Sequence, residues 1–117
     1  MKTGHWMWFV FPQLDGLGRS PTARRYAIAS LQHAREYSAD PVLGARLREC
    51  CEVLLALPDA ATAEQALGQI DAIKLRSCVT LFARAETDDR VFRDVLVRFY
   101  GGTEDEATVG LLEGRRG

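Results

Sequence analysis

The chain has 117 residues, 47% hydrophobic and 26% charged, enough for one domain with a single core and too few for two. A chain this apolar can offset its ordering entropy by burial, so disorder is excluded as its general state. Its formal net charge of −1 excludes the broad basic surface with which proteins hold nucleic acid or an anionic membrane, and Arg24-Arg25 and Arg115-Arg116 are only local basic pairs.

The first element is an aromatic run. Both tryptophans and two of the five phenylalanines fall within His5–Gln13, read HWMWFVFPQ. Lys2 precedes it, but the run lacks a small-residue cleavage site and so is no secretory signal. It also falls far short of the ~20 residues that span a bilayer. Apolar residues occupy both parities, so it does not alternate as a strand would. Leu14–Gly18 then reads as a turn.

Ser20-Pro21 is an N-cap followed by proline at the first helical position. From there Ala23, Tyr26, Ala27, Ser30, Leu31, Ala34 and Tyr37 recur at helical spacing and predict one long amphipathic helix. Asp40-Pro41 repeats the start signal for a second, with Leu43, Leu47, Cys50, Cys51, Leu54 and Leu57 inward and Pro58 as its stop. Thr62-Ala63-Glu64-Gln65 is a capping box for a short third helix ending at Gly68. A fourth begins near Asp71 and carries Ile73, Leu75, Cys78, Val79, Leu81 and Phe82. Thr87-Asp88-Asp89 caps a fifth, with Val91, Phe92, Val95, Leu96 and Phe99 inward and Gly101-Gly102 as its stop. A last helix runs from Asp105 to Leu112, followed by a frayed tail over 113–117. No period-2 strand, repeat or linker interrupts this order. The expectation is an all-α single domain over residues 1–117, with five or six helices joined by short capped loops.

Few residue sets suit chemistry. Three cysteines (Cys50, Cys51 and Cys78) and two histidines (His5 and His33) lack metal-ligand spacing, so no metal site is expected, and no cofactor. The odd cysteine count is no disulfide framework and fits a reducing cytoplasm, with the thiols packed as small hydrophobes. Gly16-Leu17-Gly18-Arg19-Ser20 precedes a helix start but forms no phosphate-loop or dinucleotide motif, so its glycines read as turn-shaping. No nucleophile elbow frames Ser77, and Cys78 falls at a core-facing position.

The most informative set lies in IDAIKLRSCVTLF, residues 70–82. Lys74, Ser77 and Leu81 share one side of a helix, polar at one end and grading into core, with Asp71 one turn before Lys74. Read structurally, Asp71 and Lys74 are an i,i+3 surface pair of ~0.2–0.5 kcal/mol. Read as a site, this is a pocket rim at which Lys74 and Ser77 hold a phosphate or carboxylate.

Three stretches, GHWMWFVFPQLDGLGRSPTARRYAIASLQHAREYSADPVLGARL, IDAIKLRSCVTLFA and VLVRFYGGTEDEATVGLL, closely resemble the bacterial family called domain of unknown function 1810. The match runs in order along nearly the whole chain. The resemblance implies an all-helical domain and brings no established activity. A calpastatin label attached to some members does not suit a compact helical chain, because that inhibitor acts through disordered repeats. The family's recurring polar and aromatic positions fall on His5, Trp6, Trp8, Gln13, Gly16, Ser30, Lys74, Ser77, Thr80, Asp105 and Thr108. Gly4 and Cys78 stand where the family carries serine. Family members also carry a further helix before the HWMWF motif, so this sequence either has its start placed too late or is an N-terminally shortened variant. Aromatic surface left bare by that loss would be covered by a second copy, which gives the expectation of a homodimer.

Two functions are expected from this reading. In the first, an anionic small molecule of nucleotide or ADP-ribose type is bound, or processed, in a pocket. Its walls are His5, Trp6 and Gln13 on one side and Lys74, Ser77 and Thr80 on the other. The order of motifs is loosely similar to helical families acting on NAD or ADP-ribose, an analogy only. In the alternative, the domain is a helical protein-interaction module without chemistry. The location of His5, Gln13 and Lys74 discriminates between them.

Overall fold

The structure, a computed structural model, describes residues 11–14, 16–17, 27–86 and 90–115. Among them are six helices: α1 (Leu31–Ala39), α2 (Leu43–Leu55), α3 (Ala63–Leu67), α4 (Gln69–Ala85), α5 (Arg90–Tyr100) and α6 (Glu106–Arg115). The protein is an all-α domain. The Thr87–Asp89 cap expected for α5 lies outside the described residues, as do the aromatic residues before Phe11.

Helix α4 is the centre. It packs against α1, α3, α5 and α6, while α2 lies across α1 and α5. Leu75, Cys78, Val79, Leu81 and Phe82 of α4 are fully buried, as are Phe92, Val95 and Leu96 of α5. Phe82 stands between Tyr37 and Phe92, with ring centroids 5.6 and 5.5 Å away in tilted geometry, so one aromatic side chain ties α1, α4 and α5 together. Cys51 and Cys78 lie within this core, and burial pushes the Cys78 thiol well up.

Two helix starts follow their sequence signals. Thr62 accepts from Gln65 N while Gln65 Oε1 accepts from Thr62 N, a complete capping box. Asp40 Oδ1 accepts from Val42 N and Leu43 N at 2.8 Å each. Those bonds, from Leu43 first, hold the Asp40 carboxyl below its usual range. At the end of α5, Gly101 and Gly102 take φ of +62° and +79°, and Gly102 N reaches back to Leu96 O at 2.9 Å.

Other expectations are corrected. The expected long helix is not continuous: residues 27–30 are not helical and a helix begins at Leu31, while the Ser20-Pro21 start signal lies outside the described residues. Ile28 N donates to Gln13 O at 2.8 Å, forming an isolated parallel bridge between residues 14 and 28. Ser30 then caps α1 by accepting from His33 N, and His33 Nδ1 accepts from Ala29 N. The β-branched Ile28 is extended and buried, so the helical spacing does not run unbroken through it. Helix α2 stops at Leu55, three residues before Pro58. Ile73 is 60% exposed and so belongs to no core stripe. Helix α6 continues to Arg115, into the stretch expected to fray.

Helix C-termini leave carbonyls without intrahelical donors, and here arginines from other helices supply them. Arg48 Nη1 donates to Ser38 O (2.9 Å) near the end of α1. Arg98 donates to Leu55 O (2.7 Å), Leu57 O (2.9 Å) and Pro58 O (2.6 Å) after α2. Arg35 Nε donates to Ala85 O (3.2 Å), the last residue of α4. Arg98 explains why α2 ends early: its guanidinium fork organises three carbonyls that no longer follow the helix.

Gly44 marks the tightest approach. A Cβ there would lie 2.0 Å from Ser38 O and 3.0 Å from Arg48 Nη1. Gly110, inside α6, has nothing within 4 Å of an added Cβ. Gly44→Ala is therefore expected to destabilise by about 2–3 kcal/mol in urea unfolding, whereas Gly110→Ala should stabilise by about 0.5–1 kcal/mol. Burial raises Tyr37 from 10.0 to about 12. The folded state therefore prefers the neutral phenol, and that contribution is complete below pH 10 and lost as pH rises through about 12. Circular dichroism against pH should show stability falling in that window, with a smaller fall in Tyr37→Phe.

Candidate functional site

The site is built from three segments. The first is the extended stretch 11–14, anchored by Phe11 and Leu14, which are 2% and 1% exposed. Its pairing with Ile28 fixes the backbone of Gln13, whose side chain is itself 8% exposed. The second is the N-terminal half of α4. The third is the start of α6, which leans against α4 beyond the glycine turn.

Between them lies a cleft of ≈ 320 Å³. Its polar lining is Gln13, Lys74, Ser77 and Asp105, and its apolar lining is Leu17, Ile70, Ile73 and Ala107. Gln13 Nε2 donates to Lys74 O at a long 3.5 Å, joining two segments 61 residues apart. Ser77 Oγ donates to Ile73 O at 3.3 Å, the i−4 back-bond of a buried helical serine. Lys74 Nζ lies 3.5 Å from Asp71 Oδ1, with Asp71 7% exposed. The sequence left two readings of this pair open, and here the i,i+3 ion pair and the lining of a cleft coexist.

Thr80 belongs elsewhere. It is fully buried, donating from Oγ1 to Arg76 O (2.7 Å) and accepting from Asp105 N (2.9 Å). Asp105 in turn caps α6, its Oδ2 accepting from Thr108 N (3.0 Å) and Thr108 Oγ1 (2.6 Å). Thr80 thus positions the α6 start and does not line the cleft. Arg76 adds bonds to Thr103 O and Glu104 O at 3.0 Å each. Arg84 forks onto both Glu104 carboxylate oxygens at 2.9 Å, with Arg93 at 3.7 Å. Hydrogen bonding from Arg84 is the main cause of the lowered Glu104 carboxyl. The loop carrying Asp105 is consequently fixed from three sides.

Of the six candidate residues, the structure brings Gln13, Lys74 and Ser77 together and sets Thr80 apart, while His5 and Trp6 lie outside the described residues. Sequence reasoning missed Ile70 and Ile73. The signal was present, because 70, 73, 74 and 77 are one i, i+3, i+4, i+7 stripe, the face of α4 turned to the cleft. Asp105 stood among the family's polar positions, but nothing local tied it to Lys74. Among the described residues, no helix is long and apolar enough to cross a membrane.

Fold and cleft together define a small helical domain with a concave, mainly apolar seam between the stretch 11–14 and two helices. The chain belongs to the family described as protein of unknown function (DUF1810), whose sequence profile matches residues 1–112. It is similar to the conserved hypothetical protein Rv1873 from Mycobacterium tuberculosis, known from a crystal structure. The identity is 48% over 96% of this chain and 79% of that one, with a TM-score of 0.92. No curated protein matches.

Thr80→Val is nearly isosteric and removes the acceptor for Asp105 N. It should cost about 1–3 kcal/mol and increase amide hydrogen exchange at the start of α6 more than in α2. Uniform exchange in both helices would contradict the positioning role.

Proposed function

We propose that the protein binds a nucleotide-type small molecule in this cleft and engages it chiefly through its heterocyclic base. One observation carries the reading: Gln13, largely buried and far from α4 in sequence, reaches the same cleft as Lys74 and Ser77. A buried amide that makes one 3.5 Å hydrogen bond retains most of its capacity to read a ligand edge. The volume sits at the lower end of the ~300–1,000 Å³ found for small-molecule sites, which suits a single base and sugar better than a dinucleotide. Leu17, Ile73 and Ala107 supply the apolar walls a planar ring prefers. Among the described residues Lys74 is the one cation in the lining, and its pairing with Asp71 shifts the weight of the reading from phosphate to base.

A second reading, the helical interaction module, is favoured by Ile70 and Ile73, which are 71% and 60% exposed on the cleft rim. Adjacent exposed isoleucines suit an apolar contact better than a hydrated rim.

Thermal denaturation in the presence of nucleosides and nucleotides tests the proposal. A ligand at a hundred times its Kd should add ~2.7 kcal/mol of stability. Gln13→Leu should abolish the shift and keep the helical circular dichroism of the parent. An unchanged shift in Gln13→Leu refutes the role of Gln13, no shift with any of these compounds refutes the ligand reading, and a concentration-dependent mass in sedimentation that Ile70→Ser removes supports the second one.

A further inference from the structure

Among the described residues, the hydrogen-bonding atoms left open in the cleft are not balanced between donors and acceptors. Gln13 uses Nε2 on Lys74 O, so its open atom is the carbonyl Oε1. Ser77 uses its one proton on Ile73 O, which leaves oxygen lone pairs. Asp105 receives both Thr108 bonds on Oδ2, and its Oδ1 accepts from none of the described residues. Three lining side chains therefore present acceptors. The charges lean the same way among the described residues: Asp105 lines the cleft, and Lys74, the one cation in that lining, is already paired with Asp71. The start of α6 adds only about half a positive charge, and Asp105 already caps it.

From this we infer that the cleft selects an uncharged heterocycle bearing an exocyclic amino group, of adenine or cytosine type, and discriminates against its phosphorylated form, with Asp105 as the excluding residue. The inference rests on the proposal that the cleft binds a nucleotide-type base, and it adds which base edge and which charge state are accepted. An amino group supplies the protons that Gln13 Oε1 and the Asp105 carboxylate lack. An oxo group at the same ring position presents a lone pair to a lone pair, the kind of unpaired buried polar contact that penalises the wrong ligand most. A phosphate brings two negative charges toward the Asp105 carboxylate, at a cleft whose Lys74 is already engaged by Asp71.

Calorimetric titration of the full chain with adenosine, inosine, cytidine, uridine and adenosine monophosphate tests this. Adenosine or cytidine should bind at least about tenfold more tightly than its oxo counterpart, and adenosine at least about tenfold more tightly than its monophosphate. In Asp105→Asn, whose amide oxygen still caps α6, the ratio of monophosphate to nucleoside affinity should rise several-fold while the melting temperature stays near that of the parent. Inosine matching adenosine, or monophosphate binding as tightly as nucleoside, overturns the selectivity while leaving the cleft a binding site. An unchanged ratio in Asp105→Asn overturns the assignment to Asp105. If none of the five binds, the inference and the functional proposal fall together.

Discussion

Enclosing α4 is the constraint on which the rest of the structure depends. A helix covered by four others brings their ends inward, and each end carries backbone carbonyls that must find donors. Four arginines meet that demand: Arg35 at α4, Arg48 at α1, Arg98 beyond α2 and Arg76 in the loop after α5. A buried carbonyl left unsatisfied costs about 1–3 kcal/mol, so the part-buried carbonyls of Ser38, Leu55 and Ala85 gain most from these donors, whereas the exposed Thr103 carbonyl also has water within reach. Lysine could not substitute. The Arg98 guanidinium spans three carbonyls in a fixed plane, whereas an ammonium is a flexible point donor.

The same device shapes the cleft. Arg76 and Arg84 from α4 hold residues 103–104, and Thr80 from the same helix holds Asp105. One face of α4 therefore builds the rim opposite Gln13, and the next face secures it. The polar residues along α4 divide by depth: Lys74 and Ser77 reach the cleft, while Thr80, one turn further, is enclosed. A cleft set on helical scaffolding in this way has its lining side chains held by the packing behind them.

Much of this was legible from residue pattern, and the parts that were not share a cause. Local chemistry announced the capping box at Thr62, the Asp40 cap and the glycine stop at 101–102, because each partner lies within a few residues. The unbroken run into α1 was misread, because Ile28 is held extended by Gln13, whose influence no local spacing reveals. Thr80 was placed at the rim from its standing among the family's polar positions, which says nothing of what packs above it. The end of α2 was set by Arg98, over forty residues away, and not by Pro58. The family resemblance supplied Gln13 and Asp105 as positions worth attention, though not their common location.

Carbonyl oxygens and guanidinium groups do not change charge between mild acid and mild alkali, so the ties at the ends of α1, α2 and α4 are indifferent to pH. Carboxylates enter the framework mainly at the Asp40 cap and in the loop that bears Glu104 and Asp105. Glu104 and Asp40 have lowered folded pKa values, so what they contribute is present above the ordinary carboxylate range and is lost as pH falls through those values. Acidification thus acts unevenly, slackening the α6 side of the cleft and the start of α2 while the arginine-bound helix ends keep their hold. The rim and the scaffold respond to protons separately, although they are built on one helix.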